Sequence, residues 1–312
     1  MASLKHDDGG VAAGTESALN ASPKEGEAPI LREDFTGWRH LVLNRPTKGN
    51  SLSADLLEAL ERELREADSD DSIHAVLLSG STECADFCTG YFMAGGKQTS
   101  LEHDLLNLER GQRRLQTVFD MHKPVIAKVH GRCLAGGTDL ALMCDIVIAS
   151  DDAVFGFPPH RDFGHSPSDQ WLYHCGPQWA KRLLFTGDTI RAADAALIGV
   201  ILKSVPRDAL DREVAGLMQR LARIDPALLA THKRAVNLGL ELMGARTFQR
   251  LALELDARGH LAPQSVRVRD RARSGDAKDF NERLKADRLE MFGPGSLRVR
   301  EPDPYDDKGR LV

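Results

Sequence analysis

The chain has 312 residues, 42% hydrophobic and 28% charged, ordinary proportions for a soluble globular protein of one large domain or a core plus an appendage. A net charge of -5 gives no overall basic footprint for nucleic acid. No run reaches the ~20 apolar residues that span a bilayer, and the N-terminus carries acidic residues instead of a signal's apolar core, so the expected address is the cytoplasm, with no membrane partner.

Residues 1–29 contain no aromatic residue and are rich in Gly, Ala, Ser, Pro and Glu, which predicts a flexible arm. Order is expected to begin near Phe35-Thr36-Gly37-Trp38. Arg39–Leu43 reads as a strand ended by Asn44-Arg45-Pro46. Ser53 can cap a helix whose apolar stripe is Leu56, Leu57, Leu60 and Leu64. His74–Gly80 is a second strand, and Leu101–Met121 has helical spacing. Pro124–Gly131 is a third strand, followed by a Gly-rich helix start. Asp145–Ala149 and Ala153–Phe157 follow as strands. This alternation predicts an α/β core with parallel pairing.

After Pro206 the pattern turns helical, over 208–223, 226–243, 246–261 and 279–291, with Asp225-Pro226 opening the second of these. Prolines and charges over 294–312 read as an extended tail. The predicted division is an arm at 1–29, a core at 30–224, a helical subdomain at 225–293 and the tail. The five cysteines are odd in number, and Cys84 and Cys88 have no second ligand pair. Reduced thiols and no metal site are expected.

Three segments carry chemistry. Asp86–Phe92 follows a strand and contains Thr89-Gly90-Tyr91. Gly131–Leu140 joins a strand to a helix through Ala135-Gly136-Gly137, where glycines admit a ligand oxygen and free N–H groups favour negative charge. Phe155–Asp162 places Pro159, His160 and Asp162 just after a strand. Dinucleotide, P-loop and nucleophile-elbow fingerprints are all absent.

The order and spacing of these segments resemble the crotonase (enoyl-CoA hydratase/isomerase) family over about residues 35–293. The marks are Asn44–Leu52, Phe87–Gly90, Gly131–Gly137, Met143–Ser150, Leu184–Asp188, Ala192–Ala195 and Gly199-Val200. The resemblance implies a ββα spiral core with a C-terminal helical part that packs trimers, so a homotrimer or hexamer is expected. It implies an acyl-CoA substrate and no separate cofactor, coenzyme A being part of that substrate. It implies an oxyanion hole made by the backbone N–H groups of Tyr91 and Gly136, flanked by Gly90 and Gly137. Because backbone donors suffice, the side chain at position 91 is expected to be free to vary. Lys48 and Lys285 are implied as coenzyme A contacts.

The chain departs from that family at the second of two catalytic glutamates. The first position falls on Asp139. The second falls at Pro159, which cannot transfer a proton. His160 follows it directly and Asp162 lies close by, so both are candidate replacements, with His165 and Asp169 further along. Hydratase or isomerase chemistry leads. A thioester hydrolase or aryl-CoA dehalogenase-like enzyme, with Trp171 and Tyr173 lining an aromatic pocket, is one alternative. A non-catalytic acyl-CoA-binding protein is the other.

Overall fold

A computed structural model describes residues 28–92, 100–161 and 163–267. Most of the expected arm, the helix expected at 279–291 with Lys285, the tail at 294–312 and Asp162 lie outside the described residues.

The main sheet has six strands in the order β1 (Ile30–Phe35), β2 (Gly37–Leu43), β3 (Ile73–Gly80), β4 (Val125–Val129), β6 (Ile146–Ser150) and β9 (Lys203–Val205). The β1–β2 pair is antiparallel and every later pair is parallel. A three-stranded sheet joins β5 (Arg132–Leu134) in parallel to β7 (Val154–Gly156), and β7 antiparallel to β8 (Thr189–Arg191).

Eight α-helices occur among the described residues. They are α1 (Ala54–Ser69), α2 (Leu101–Asp120), α3 (Gly136–Met143), α4 (Trp171–Thr186), α5 (Ala192–Leu197), α6 (Leu210–Leu221), α7 (Pro226–Leu242) and α8 (Ala245–Gly259). Ser53 caps α1 by accepting the Leu56 N–H at 3.3 Å, and Asp225 caps α7 by accepting from Ala227 at 2.8 Å.

The central strands β3 and β4 are mostly apolar and almost wholly buried because both faces are covered. In β3, Val76 and Leu78 join a core with Leu56, Leu60 and Leu64 of α1. Ala75 and Leu77 face the other way, into a cluster with Val214 and Met218 of α6. The strands and helices expected within the described residues form, and β1, β5, β8, β9, α4 and α5 join them without having been expected. Strand β1 starts at Ile30, ahead of Phe35, because Ile30–Phe35 pairs along β2 as an edge strand. The helix α4 is broken at Gly176, whose φ of 74° precedes Pro177. Among the described residues, no helix is long and apolar enough to cross a membrane.

Candidate active site

The site is built where β5 and β7 end. The Cys88 N–H donates to Arg132 O at 3.1 Å, and the Leu134 N–H donates back to Cys88 O at 3.0 Å. The Ala135 N–H donates to Gly156 O at 2.8 Å. Three chain segments, 88–91, 132–136 and 154–156, are thereby held side by side. Any side chain at Gly137 would collide with this arrangement: a Cβ there would sit 2.4 Å from Cys88 O. Helix α3 can start against the 88–91 segment only because residue 137 is glycine.

Two backbone N–H groups lie at this junction. Gly90 O accepts from Leu52 N and Phe92 N donates to Leu52 O, a parallel bridge that leaves the Tyr91 N–H pointing away from Leu52. Gly136 is the first residue of α3, so its N–H has no intrahelical acceptor. A Cβ on Gly90 would lie 3.8 Å from Gly136 N, which shows how closely the two segments approach. Ala135, which turns the chain into α3, sits at φ 50° and ψ -120°, a conformation that costs a non-glycine residue about 1–3 kcal/mol.

Asp139 lies one turn into α3 and is only 1% exposed. Its Oδ2 accepts from the Tyr91 hydroxyl at 2.9 Å. Its Oδ1 accepts from Ser166 Oγ at 2.5 Å and from Ser168 Oγ. Burial pushes the carboxyl up to about 6, and the three hydroxyl donors hold it from rising further. The Tyr91 side chain is therefore part of the site rather than free to vary. Its ring also covers Gly136, where a Cβ would meet ring carbons at 2.9 Å.

The position at which the resemblance implies a second carboxylate holds Pro159 instead. Pro159 sits in a 3₁₀ turn (Pro158–Arg161) directly after β7, and its carbonyl accepts the Phe163 N–H at 2.8 Å. His160 packs on Phe157 with ring centroids 4.6 Å apart. Burial lowers the His160 imidazole to about 3, and its Nε2 is buried with no hydrogen-bond partner. Neutral His160 stacks edge-on against His165, 5.4 Å away.

His165 Nε2 is hydrogen-bonded to Asp169 Oδ2 at 2.8 Å, and its backbone N–H donates to Asp256 Oδ1 of α8 at 2.9 Å. Burial works against a charge on His165, but the Asp169 hydrogen bond and charge outweigh it, so the imidazole rises above its ordinary value. Ser166 and Ser168, which grip Asp139, lie on the same loop.

Lys48 ends an exposed 3₁₀ turn (Pro46–Lys48). Gly49, next to it, receives the Thr89 N–H at 2.9 Å, so this turn abuts the Thr89–Tyr91 segment. Trp171 is fully buried in the main core and cannot line an aromatic pocket. Tyr173 instead packs edge-on against Phe248 of α8. All five cysteines are free thiols.

The sequence and the fold have counterparts among known proteins. The pattern of the enoyl-CoA hydratase/isomerase family matches residues 37–286. A probable enoyl-CoA hydratase of Rhizobium meliloti is 32% identical over 221 residues, covering 65% of this chain and 78% of that protein. The 2,3-dehydroadipyl-CoA hydratase of Escherichia coli is 32% identical over 212 residues, covering 65% and 79%. The crystal structure of an enoyl-CoA hydratase from Mycobacterium smegmatis superposes with a TM-score of 0.78 at 30% identity, covering 83% of this chain and 93% of the other. A monofunctional enoyl-CoA isomerase from M. smegmatis gives 0.59 at 26% identity, covering 69% and 95%. The spiral α/β core, the sequence match and the structural match together make this chain a member of the enoyl-CoA hydratase/isomerase family within the crotonase superfamily, and an enzyme of that type.

Proposed function

We propose that the chain binds an acyl-CoA thioester, stabilises its enolate through the Tyr91 and Gly136 N–H groups, and moves the α-proton with Asp139. The observation that carries this reading is the buried Asp139 carboxyl, one turn along α3 from Gly136 and hydrogen-bonded to Tyr91. When the α-proton leaves, charge accumulates on the thioester oxygen. Two preorganised N–H donors stabilise that charge, and each such donor contributes about 3 kcal/mol to lowering the barrier.

A carboxyl held near pH 6 suits both taking and returning a proton close to neutrality. The hydroxyls of Tyr91, Ser166 and Ser168 keep it oriented throughout. Gly90 and Gly137 allow the thioester to approach the backbone. Lys48 is assigned to the coenzyme A end of the substrate, where an exposed cation beside Thr89 can meet phosphate. Lys285 is assigned to coenzyme A by the family resemblance alone. Coenzyme A arrives with the substrate, and the proposed chemistry uses no other cofactor.

The test is turnover of crotonyl-CoA, a 3-enoyl-CoA and an aromatic acyl-CoA by purified protein, alongside measured binding of each ester. Hydration or double-bond migration of the enoyl esters is expected. Free coenzyme A or halide release from the aromatic ester, without enoyl turnover, would favour the hydrolase or dehalogenase alternative. Binding without turnover of any ester would overturn the enzymatic reading.

A further inference from the structure

We propose that His165, held by Asp169, is the second proton-transfer group of this active site and activates the water that adds to the β-carbon of an enoyl-CoA. The inference rests on the enolate reading above and adds the step for which Pro159 has no side chain.

The argument starts from chain connectivity. Strands β5 and β7 are parallel neighbours. One leads into Gly136 and α3, the other into Pro158–Arg161. Their ends are joined by the Ala135–Gly156 hydrogen bond and by Thr138 Oγ1, which donates to Gly156 O at 3.0 Å. A group just beyond β7 therefore belongs beside the start of α3.

The loop that follows reaches back to Asp139 itself. Ser166 and Ser168 hold Oδ1 of that carboxyl, and the Asp169 N–H donates to Ser166 Oγ at 3.3 Å. His165 precedes Ser166 directly, so the imidazole and the Asp139 carboxyl are carried by one hydrogen-bonded unit.

Within that unit the two members of the pair differ in exposure. The Asp169 side chain is 3% exposed, while that of His165 is 25% exposed. A buried carboxylate that takes the Nε2 proton fixes the tautomer and leaves Nδ1 as the base. Among the described residues, Nδ1 has no hydrogen-bond partner. Asp169 sits at φ 45°, a left-handed conformation imposed on a non-glycine residue at this point of the loop. Asp256 anchors the other side by accepting the His165 backbone N–H, and packing is so close there that a Cβ on Gly164 would meet Asp256 Oδ1 at 2.3 Å.

The step balances without an added reagent. Water oxygen bonds to Cβ and gives a proton to His165 Nδ1, while the Cα–Cβ π pair moves onto the thioester as an enolate. Cα then takes a proton from the Asp139 carboxyl. Transfer of the His165 proton to Asp139 through solvent restores both groups. His165 is thus a catalytic residue and Asp169 a positioning residue.

The groups facing His165 are Asp169 on its own loop, His160 in the 3₁₀ turn, Asp139 on α3 and Asp256 on α8, with His260 beside Asp256. A pH profile must therefore be read against a reaction that uses Asp139 but not the water. Exchange of the α-protons of butyryl-CoA in D₂O is such a reaction.

The experiment compares wild type, His165→Gln and Asp169→Asn in crotonyl-CoA hydration and in butyryl-CoA exchange. Asn accepts the left-handed backbone at position 169, so that variant keeps the loop. His165→Gln is expected to lower the hydration kcat by ~10²–10⁴-fold while exchange stays within about threefold. The acidic limb of the hydration pH profile should vanish in His165→Gln and move to lower pH in Asp169→Asn. Hydration by His165→Gln with the limb intact would overturn the proposal. So would an equal loss of both reactions, which would mark His165 as structural. A wild type that exchanges but does not hydrate would also overturn it and leave the enolate reading standing. A wild type that does neither would overturn the enolate reading itself.

Discussion

Burying the Asp139 carboxylate raises its proton affinity, so between pH 3.8 and about 6 the folded chain holds a proton that the unfolded chain has released. Stability contributed at this site is therefore greatest below pH 3.8 and falls as pH rises through the window, by at most about 3 kcal/mol. Asp139→Asn should accordingly be more stable than wild type to urea at pH 7.5, with the difference vanishing below pH 4. The same variant should lose enoyl-CoA turnover by ~10²-fold or more, because it cannot transfer the proton. Tyr91→Phe tests the clamp more gently. It keeps the ring over Gly136 but removes one donor from Asp139, so the apparent pKa of the Asp139-dependent limb should move upward in the exchange pH profile. An unmoved limb would detach Tyr91 from the chemistry. The place of Asp139 was legible in the sequence because its spacing from Gly136 is local and helical. The clamp was not, since Ser166 and Ser168 are 27 and 29 residues away and Tyr91 is 48. Nothing local in the sequence marks the Tyr91 side chain, because the resemblance requires only the backbone N–H at that position.

Helices and strands with strong apolar periodicity, such as α1 and β3, could be read directly because each buries a continuous stripe or both faces. The edge strand β1 could not. Ile30-Leu31-Arg32-Glu33-Asp34-Phe35 buries only Ile30, and its order comes from the hydrogen bonds of its neighbour. Helix α4 was hidden by the Gly176-Pro177 break. Nor does periodicity show how the C-terminal helices attach to the core. Lys233 on α7 is buried and donates to Val118 O at 2.8 Å and Lys123 O at 3.1 Å, and it pairs with Asp145 at 2.8 Å. That lysine ties α7 to the end of α2 and to the start of β6. Lys233→Met removes the cation and leaves the Asp145 carboxylate with the Val125 N–H but no counter-charge. With the Asp145 side chain 19% exposed, a loss of about 2–3 kcal/mol is expected, somewhat below the cost of breaking a fully buried pair. Urea unfolding measures it. The double variant with Asp145→Asn should recover part of the loss. Full additivity of the two changes would show that the pair is not coupled.

For the molecule as a whole, the question is what covers the outer side of the C-terminal helices. Helix α7 turns Leu229 and Lys233 inward, yet Leu228, Val236, Leu238, Leu242 and Met243 remain 55, 66, 48, 90 and 70% exposed. Leu251 and Leu255 on α8 add 50 and 48%. A helix that is apolar on two sides is one buried on two sides, and seven large apolar side chains left open on neighbouring α7 and α8 mark an interaction surface. The family resemblance implies trimers packed through this part of the chain, and self-association through α7 and α8 is the expected outcome. Light scattering on eluting protein should give a mass near three or six times 34.3 kDa. Paired substitutions Val236→Asp and Leu242→Asp should shift it to that of a single chain while leaving the circular dichroism intact, since neither side chain reaches the core. A wild-type mass of 34.3 kDa at micromolar concentration would remove self-association as the reason for this apolar face. If the mass falls in the variant but enoyl-CoA turnover persists, the active site is complete within one chain. If turnover falls with the mass, helix α8, which carries Asp256 to His165, depends on its neighbours for its position.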